Sequence, residues 1–234
     1  MILGGFQPLS LIDYPGKVAT IAFTQGCLFR CPFCHNPKLI AEAKMETDKQ
    51  LRTTEEFWAH LERRKNFIDG VVVTGGEPTI HADLPEFLAR IKSLGYLIKL
   101  DTNGIMPEMI RDLLDRKLVD YFAMDIKDTW KRYQGIANIA PEKRAMLANC
   151  YETLHLIRNS GIPYEWRTTV LPGVHTEESF LDIARGLLPG ERYYLQDINY
   201  DVTLRALDKT KRLNVPRIVE RLRGEFPELL VEAR

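Results

Sequence analysis

Six short apolar or β-branched segments, each followed by a segment with helical spacing, constrain the fold of this chain more than any other feature. The short continuous apolar run Gly70–Thr74 is typical of a strand that is buried on both faces of a parallel sheet. Parallel strands need crossover connections, which helices supply. The pattern therefore predicts an α/β fold with a parallel sheet. Its predicted strands are Val18–Phe23, Gly70–Thr74, Tyr96–Leu100, Val119–Met124, Tyr164–Leu171 and Arg192–Gln196.

The helices between these strands are predicted from apolar spacing and from start and stop residues. The helix near Leu84 repeats apolar residues every three or four positions and ends before Gly95. Thr53 and Glu56 predict a capping box that opens an earlier helix, preceded by a loop or short helix over Ile40–Arg52. Further helices are expected after Pro107, after Pro141 to about Ser160, after Thr176 and after Pro216, with a possible last strand at Leu229–Val231.

Size and composition fit one ordinary globular domain. The 234 residues contain no internal repeat, low-complexity tract or linker, and 45% of them are hydrophobic. Lysine plus arginine equals aspartate plus glutamate, so the net charge gives no general attraction to nucleic acid or to an anionic membrane. No apolar run approaches the ~20 residues of a membrane helix, and no signal peptide follows Met1. We therefore expect a cytoplasmic protein with reduced thiols.

Three cysteines lie within eight residues, directly after the first predicted strand. They are Cys27, Cys31 and Cys34. Thiolates held so close together repel one another unless a cation compensates them, and a metal centre does so while keeping the thiols deprotonated. Iron–sulfur cubanes normally take four thiolates, so a set of three leaves one iron open to another ligand.

Other interpretations of these cysteines exist. A structural zinc site needs a fourth ligand, and His35 is too close to Cys34 for the usual zinc-ligand spacing. A disulfide framework is disfavoured by four cysteines in 234 residues without a secretory signal. The fourth cysteine, Cys150, falls in an apolar helical pattern and is expected in the core.

The spacing Cys-x3-Cys-x-aromatic-Cys, formed by the three cysteines and Phe33, resembles the signature of the radical S-adenosylmethionine (SAM) superfamily. The following His35-Asn36 resembles its glycyl-radical-enzyme activating branch. Ser10–Lys17 and Phe23–Gly26 most resemble activating proteins of anaerobic ribonucleoside-triphosphate reductase. The resemblance implies a partial (β/α)6 TIM-like barrel in a single domain. Residues 1–17 would cross the barrel mouth, residues 18–200 would form the core, and residues 201–234 would form a C-terminal helix and tail.

Polar residues cluster at the predicted carboxyl ends of the strands, where (β/α) barrels carry their functional groups. Thr74-Gly75-Gly76-Glu77 follows the second strand; its glycines let backbone approach a ligand, and Glu77 can accept hydrogen bonds from an ammonium. Ordinary turns and solvated ion pairs are the alternatives. The resemblance implies that this segment contacts the SAM amino group, that Asp101 and Thr102 face its ribose and methionine end, and that Asp125 and Lys127 lie at SAM.

Further residues are assigned on weaker signals. Arg167 lies within the fifth predicted strand, where an unpaired charge is costly, so it would bind a carboxylate of SAM or of a peptide, or form a structural bridge to Glu165 or Asp125. The resemblance also implies a monovalent cation near Asp101 and Asp125. Cofactor contacts are expected for Phe33, His35 and Gln196, and substrate-peptide contacts for Asp13, His35 and Arg167.

The function implied by the resemblance is reductive cleavage of SAM by a 4Fe–4S cluster, followed by formation of a glycyl radical on a partner enzyme. Anaerobic ribonucleoside-triphosphate reductase is the expected partner, and a flavodoxin- or ferredoxin-type protein is the expected electron donor, because the step needs a low potential. The alternatives are activation of another glycyl radical enzyme of the pyruvate formate-lyase type, a radical SAM reaction on a small molecule, and a non-enzymatic zinc or redox-sensing module.

Overall fold

The computed structural model describes Met1, residues 3–40 and residues 47–234, with residues 47–50 described by their backbone alone. In this part of the chain, eight strands form a mostly parallel sheet whose order follows the sequence. They are β1 (Leu3–Ser10), β2 (Ala19–Thr24), β3 (Gly70–Gly75), β4 (Leu97–Thr102), β5 (Tyr121–Asp125), β6 (Tyr164–Thr169), β7 (Arg192–Gln196) and β8 (Leu230–Ala233). The predicted α/β class is confirmed, and all six predicted strands are present as β2 to β7.

The helices lie between the strands. They are α1 (Pro37–Ile40), α2 (Thr47–Arg63), α3 (Leu84–Ser93), α4 (Pro107–Asp115), α5 (Tyr133–Ala137), α6 (Leu147–Arg158), α7 (Glu177–Ala184) and α8 (Val215–Glu225), with short 3₁₀ helices at Pro78–Ile80 and Pro141–Met146. The helix expected to begin at Pro141 is therefore 3₁₀ in its first part. No helix of the described ranges is long and apolar enough to cross a membrane.

The capping box predicted at Thr53 and Glu56 is wrong. Both residues lie inside α2, which is already helical from Thr47. The neighbouring hydroxyl of Thr54 accepts a hydrogen bond from the Leu3 amide of β1 at 3.0 Å. The loop or short helix predicted for Ile40–Arg52 is helical from Thr47 onwards, and its residues 41–46 lie outside the described part.

The first of two compact units comprises Met1–Cys27, Lys38–Ala123 and Ala148–Pro163. In it β1 pairs with β2 in the antiparallel sense, a strand that the sequence pattern did not predict. Strands β2, β3 and β4 pair in parallel, and the register places Thr24 opposite Gly75. The carboxyl ends of β2 and β3 therefore lie side by side at one edge of this unit. Helix α2 buries Phe57 and Leu61 completely.

The second unit comprises Leu28–Pro37, Met124–Leu147 and Tyr164–Arg234. Strands β6, β7 and β8 pair in parallel within it, which confirms the last strand. Thr176 caps α7 as predicted, in a reciprocal capping box with Ser179. The buried Glu165 accepts a hydrogen bond from Arg234 at 2.9 Å, which ties β6 to the end of the chain.

The division into units does not follow the sequence as two consecutive domains. The chain passes between the units at several points, and strand β5 contributes residues to both of them. The expected boundaries at residues 17 and 200 remain predictions.

Candidate functional site

In the first unit, the loop after β3 requires glycine at two successive positions. Gly75 has a φ of +115°, and a Cβ there would lie 2.5 Å from the Thr24 amide nitrogen. A Cβ on Gly76 would lie 1.9 Å from the carbonyl oxygen of Gly26. Any side chain at either position would therefore collide with backbone. The two glycines let this loop approach the segment that leads into Cys27.

Backbone hydrogen bonds hold the loop in this close approach. The amide of Gly76 donates to the Thr24 carbonyl at 2.9 Å, and the amide of Glu77 donates to the Gly26 carbonyl at 2.8 Å. The Gly26 amide in turn donates to Leu39 at 2.7 Å. The backbone entering Cys27 is thus fixed from both sides by partners that are distant in sequence.

Glu77 is 1% exposed and accepts four hydrogen bonds from its own unit. Its Oε1 accepts from the Thr79 amide, the Thr79 hydroxyl and the Thr102 hydroxyl, and its Oε2 accepts from the Asn103 amide at 2.6 Å. Burial raises the pKa of this carboxyl, and the hydrogen bonds oppose that rise. The side chain therefore links the loop after β3 to the end of β4, while its predicted contact with SAM stays a prediction.

Asn103 is a functional candidate that sequence reasoning missed. Its side-chain amide donates to the Sγ of Cys27 at 3.6 Å, and its own oxygen accepts from the Ile105 amide at 3.0 Å. An ordinary turn was among the alternatives for the residues after β4, and Asn103 was given no role of its own. The signal available in the sequence was its position at the carboxyl end of a strand, next to the predicted Asp101 and Thr102.

Asp101 stands near the end of β4 and is paired with a lysine of the same strand. The Nζ of Lys99 lies 2.5 Å from its Oδ1, and the two side chains are 1% and 13% exposed. Thr102 lies next to it, and its hydroxyl accepts from the Gly104 amide as well as donating to Glu77. The carboxylate that was expected to face SAM therefore already has a cationic partner within the protein.

Asp13 lies in an ordered turn after β1. The hydroxyl of Ser10 donates to its carboxylate, and the same hydroxyl accepts from the amides of Ile12 and Asp13 at 3.2 Å. This network presents Leu11 and Ile12 to the surface, where they are 67% and 82% exposed. A contact between Asp13 and a substrate peptide remains a prediction.

In the second unit, Cys31 and Cys34 belong to one tight turn. The Cys34 amide donates to the Cys31 carbonyl at 3.1 Å. Burial raises the pKa of the Cys31 thiol to about 11, although the nearby Lys127 ammonium opposes this rise. The thiol is therefore protonated at neutral pH in the ligand-free chain, and coordination of a metal would displace that proton. Phe33, which lies between these two cysteines in the sequence, is buried. The Nζ of Lys127 lies 5.6 Å from the centre of its ring.

Asp125 forms the centre of an ion-pair network in this unit. Its Oδ2 lies 2.8 Å from the Lys127 ammonium and its Oδ1 lies 2.9 Å from the Nε of Arg167. Burial alone would raise the pKa of Asp125, but these two cations outweigh it and hold the pKa well below its usual range. The bridge from Arg167 to Asp125, which was one of the alternatives for Arg167, is present.

His175 fixes the backbone next to this network, a role that the sequence did not reveal. Its Nδ1 accepts from the Leu171 amide at 2.9 Å, so the contact of its Nε2 with the Lys127 carbonyl at 3.0 Å is a donated hydrogen bond. Burial lowers the pKa of His175, while Asp128 opposes the shift. The neutral form is therefore the one that fits these contacts.

His35 and Gln196 have less defined surroundings. The ring of His35 accepts a hydrogen bond from the Asn199 amide at 3.4 Å, and burial lowers its pKa. Gln196 ends β7, where its carbonyl accepts from the Val170 amide at 2.8 Å. Cys150 is completely buried in α6, which confirms the expectation that it belongs to the core.

The three thiols could bind an iron–sulfur cluster, because of their number and because they are not oxidised to disulfides. None of the three forms a disulfide, and a set of three thiolates leaves one iron of a cubane without a protein thiolate. Among the described residues, no three His, Cys, Asp or Glu side chains converge as ligands of a single ion. A cubane makes no such demand, because each thiolate binds a different iron.

The comparisons with known proteins place these features in a family. Residues 21–187 match the model of the radical SAM superfamily, and this chain belongs to that superfamily. It is accordingly an enzyme of the class that combines a 4Fe–4S cluster with SAM.

Within the superfamily, the chain resembles activating enzymes. It is 33% identical to a glycyl-radical enzyme activating enzyme of Methanocaldococcus jannaschii, over 90% of this chain and 87% of the relative. It is 32% identical to the pyruvate formate-lyase-activating enzyme of Listeria monocytogenes, over 71% of this chain and 67% of the relative. Both relatives are matched over two thirds or more of their length.

A solved structure supports the fold. Streptococcus suis SuiB bound to S-adenosylmethionine superposes on 92% of this chain with a TM-score of 0.66 and 14% sequence identity. The chain spans about half the length of SuiB, 49%. At this identity the likeness concerns the fold alone, and it agrees with the radical SAM barrel expected from the sequence.

Proposed function

We propose that this chain generates a glycyl radical on a partner enzyme, and that the partner is an anaerobic ribonucleoside-triphosphate reductase. The activating function is supported by the Methanocaldococcus jannaschii relative, which aligns over nearly the whole chain. The reductase is proposed from the segment Ser10–Lys17, which resembles the activators of that enzyme. Pyruvate formate-lyase is the alternative partner, since an activating enzyme for it is among the relatives.

The observation that carries the catalytic proposal is the attachment of the Gly75–Glu77 loop to the backbone entering Cys27. Glycine at both positions lets the loop pack directly on the backbone of Thr24 and Gly26. Because the loop donates hydrogen bonds to the carbonyls of Thr24 and Gly26, just before Cys27, a ligand bound at the loop would be positioned relative to this cluster ligand. The requirement for such positioning is strict when an electron must pass between two cofactors.

A bound 4Fe–4S cluster would supply the electron for the reductive cleavage of SAM on which glycyl-radical formation depends. The chain's own residues bind and orient. Cys27, Cys31 and Cys34 would hold the cluster. Lys127 would attract the SAM carboxylate, and Asp125 would hold the Lys127 ammonium in place.

Further contacts are proposed for residues at or near the carboxyl ends of the strands. The backbone at Gly75 and Gly76 would face the amino group of SAM, and Asp101 and Thr102 would face its ribose. Phe33 and His35 are proposed to contact the cofactor, and Gln196 is proposed to lie near the adenine of SAM. Asp13, His35 and Arg167 are proposed to meet the peptide of the partner, and a flavodoxin- or ferredoxin-type donor is proposed to supply the electron.

The test is electron paramagnetic resonance of a mixture of the reduced, cluster-loaded chain, SAM and a candidate partner. With an anaerobic ribonucleoside-triphosphate reductase we expect the doublet of a glycyl radical, and with pyruvate formate-lyase we expect none. A doublet with pyruvate formate-lyase alone would reassign the partner while keeping the activating function. SAM cleavage without a doublet on either enzyme would favour a small-molecule substrate.

A further inference from the structure

Lys99 is one of the largest fully buried side chains of the described residues, with 1% exposure. Lysines are almost never fully buried unless they are paired. Lys99 and Asp101 stand two positions apart on β4, so their side chains project from the same face of the strand. The 2.5 Å distance between Nζ and Oδ1 makes this a direct ion pair in a largely buried setting.

The second carboxylate that was expected to bind a monovalent cation is also neutralised from within the protein. Asp125 contacts the ammonium of Lys127 at 2.8 Å and the guanidinium of Arg167 at 2.9 Å. Each of the two carboxylates therefore contacts a permanent cation of its own unit. A sodium or potassium ion at either carboxylate would have to compete with a positive charge at a distance where like charges repel strongly.

We infer that the ammonium of Lys99 takes the place of a free monovalent cation at Asp101, so that this chain binds SAM without requiring sodium or potassium. The inference rests on the proposed function, because it takes Asp101 to lie at the SAM site. Lys99 is a positioning residue in this account: it holds the carboxylate of Asp101 and compensates its charge. A tethered ammonium does so at any salt concentration, whereas a free ion must first be captured from solution.

The test measures SAM affinity by titration calorimetry on the cluster-loaded chain, under anaerobic conditions. The buffers contain potassium, sodium or choline chloride at equal ionic strength, since choline is too large to occupy a small cation site. For the unmodified chain we expect affinities that agree within about twofold in the three salts. For Lys99→Met we expect affinity in choline to fall about tenfold and to recover in potassium or sodium, because a buried carboxylate has lost its counter-charge.

A second measurement needs no cofactor. Thermal unfolding of the cluster-free Lys99→Met chain should be shifted upward by potassium or sodium relative to choline, and the unmodified chain should show no such difference. The double variant with Lys99→Met and Asp101→Asn should lose the salt response, because no uncompensated carboxylate remains. Lys92→Met is the matched control: it breaks the Lys92–Asp120 pair, also at 2.5 Å but 28% and 27% exposed, and should create no preference for small cations.

The outcomes separate the inference from the proposed function. SAM binding by the unmodified chain that requires potassium or sodium would overturn the inference and leave the proposed function standing. The same holds if Lys99→Met loses affinity equally in all three salts, or if it melts without any salt response. Absence of SAM binding in every salt would overturn the proposed function together with the inference. If Lys99→Met does not fold, the SAM affinities of the unmodified chain in the three salts still show whether SAM binding requires potassium or sodium.

Discussion

Replacing Glu77 by glutamine should destabilise this protein even though the two side chains have nearly the same shape. Glu77 accepts hydrogen bonds from two backbone amides, those of Thr79 and Asn103, one at each carboxylate oxygen. Glutamine offers one carbonyl oxygen and one NH₂ group, so one of the two amides must face a donor. The hydroxyls of Thr79 and Thr102 can rotate to accept instead, whereas a backbone amide cannot.

One buried amide without an acceptor costs about 1–3 kcal/mol. For a chain of this size, that loss corresponds to a fall in melting temperature of about 2–4 °C per kcal/mol. Glu77→Ala removes the acceptor for both amides and should lower the melting temperature further. The assay is thermal unfolding of the cluster-free chain, with SAM affinity of the loaded chain measured in parallel.

Glu86→Gln serves as the control, because Glu86 is 66% exposed and pairs with Arg116 at the surface, where such pairs contribute little. The reasoning would be refuted if Glu77→Gln melted like the unmodified protein while its SAM affinity collapsed. That result would make Glu77 a direct ligand of SAM, as the sequence suggested, and not the residue that links two loops.

Three further perturbations test other parts of the site. Asn103→Ala should shift the reduction potential of the cluster to more negative values, because Cys27 loses an N–H donor that stabilises the reduced state. Protein-film voltammetry measures this shift, and an unchanged potential would count against the contact between Asn103 and Cys27. Arg167→Met should lower the free energy of unfolding, measured by urea titration, by about 1.5–3 kcal/mol, which is the range for a hydrogen bond to a charged group. An unchanged free energy of unfolding would mean that Lys127 alone is enough to compensate the charge of Asp125. Since the folded state lowers the pKa of His175, the unfolded chain binds more protons there, so stability should fall as the pH drops below about 6.5. His175→Phe should melt at a lower temperature at pH 8 and lose less on acidification than the unmodified chain does, whereas parallel pH profiles of the two would contradict this origin.

Much of the fold was predictable because parallel strands have a strong local signature. The run Gly70–Thr74 is continuously apolar and corresponds to β3. Strand β1 was missed because Gly4, Gly5 and Pro8 weaken a strand pattern. The strand forms nonetheless because it lies at the edge of the sheet, where proline is tolerated. The start of α2 was misplaced because Thr53 and Glu56 match a capping box locally, while the actual helix continues through them.

The sequence indicated at which strand ends the residues of the candidate site lie, but not which residues they contact. Carboxyl ends of parallel strands share an edge, so a sequence with polar residues after successive strands already indicates where chemistry is concentrated. The partners of these residues depend on tertiary packing. The bonds from Thr102 and Asn103 to Glu77, the bond from the Asn103 side chain to Cys27, and the bond from His175 to Lys127 all join residues that are distant in sequence. The Lys99–Asp101 pair was nearer to prediction, since alternation along a strand places both side chains on one face.

The most direct test of the central claim is formation of 5′-deoxyadenosine from SAM by the reduced, reconstituted chain. We expect turnover by the unmodified protein and by Cys150→Ala, because Cys150 is a buried core residue of α6. We expect none from Cys34→Ala, because the cluster loses one of its three ligands. The account would be contradicted by an iron-free protein that holds one zinc per chain and releases no 5′-deoxyadenosine, or by Cys34→Ala retaining full turnover.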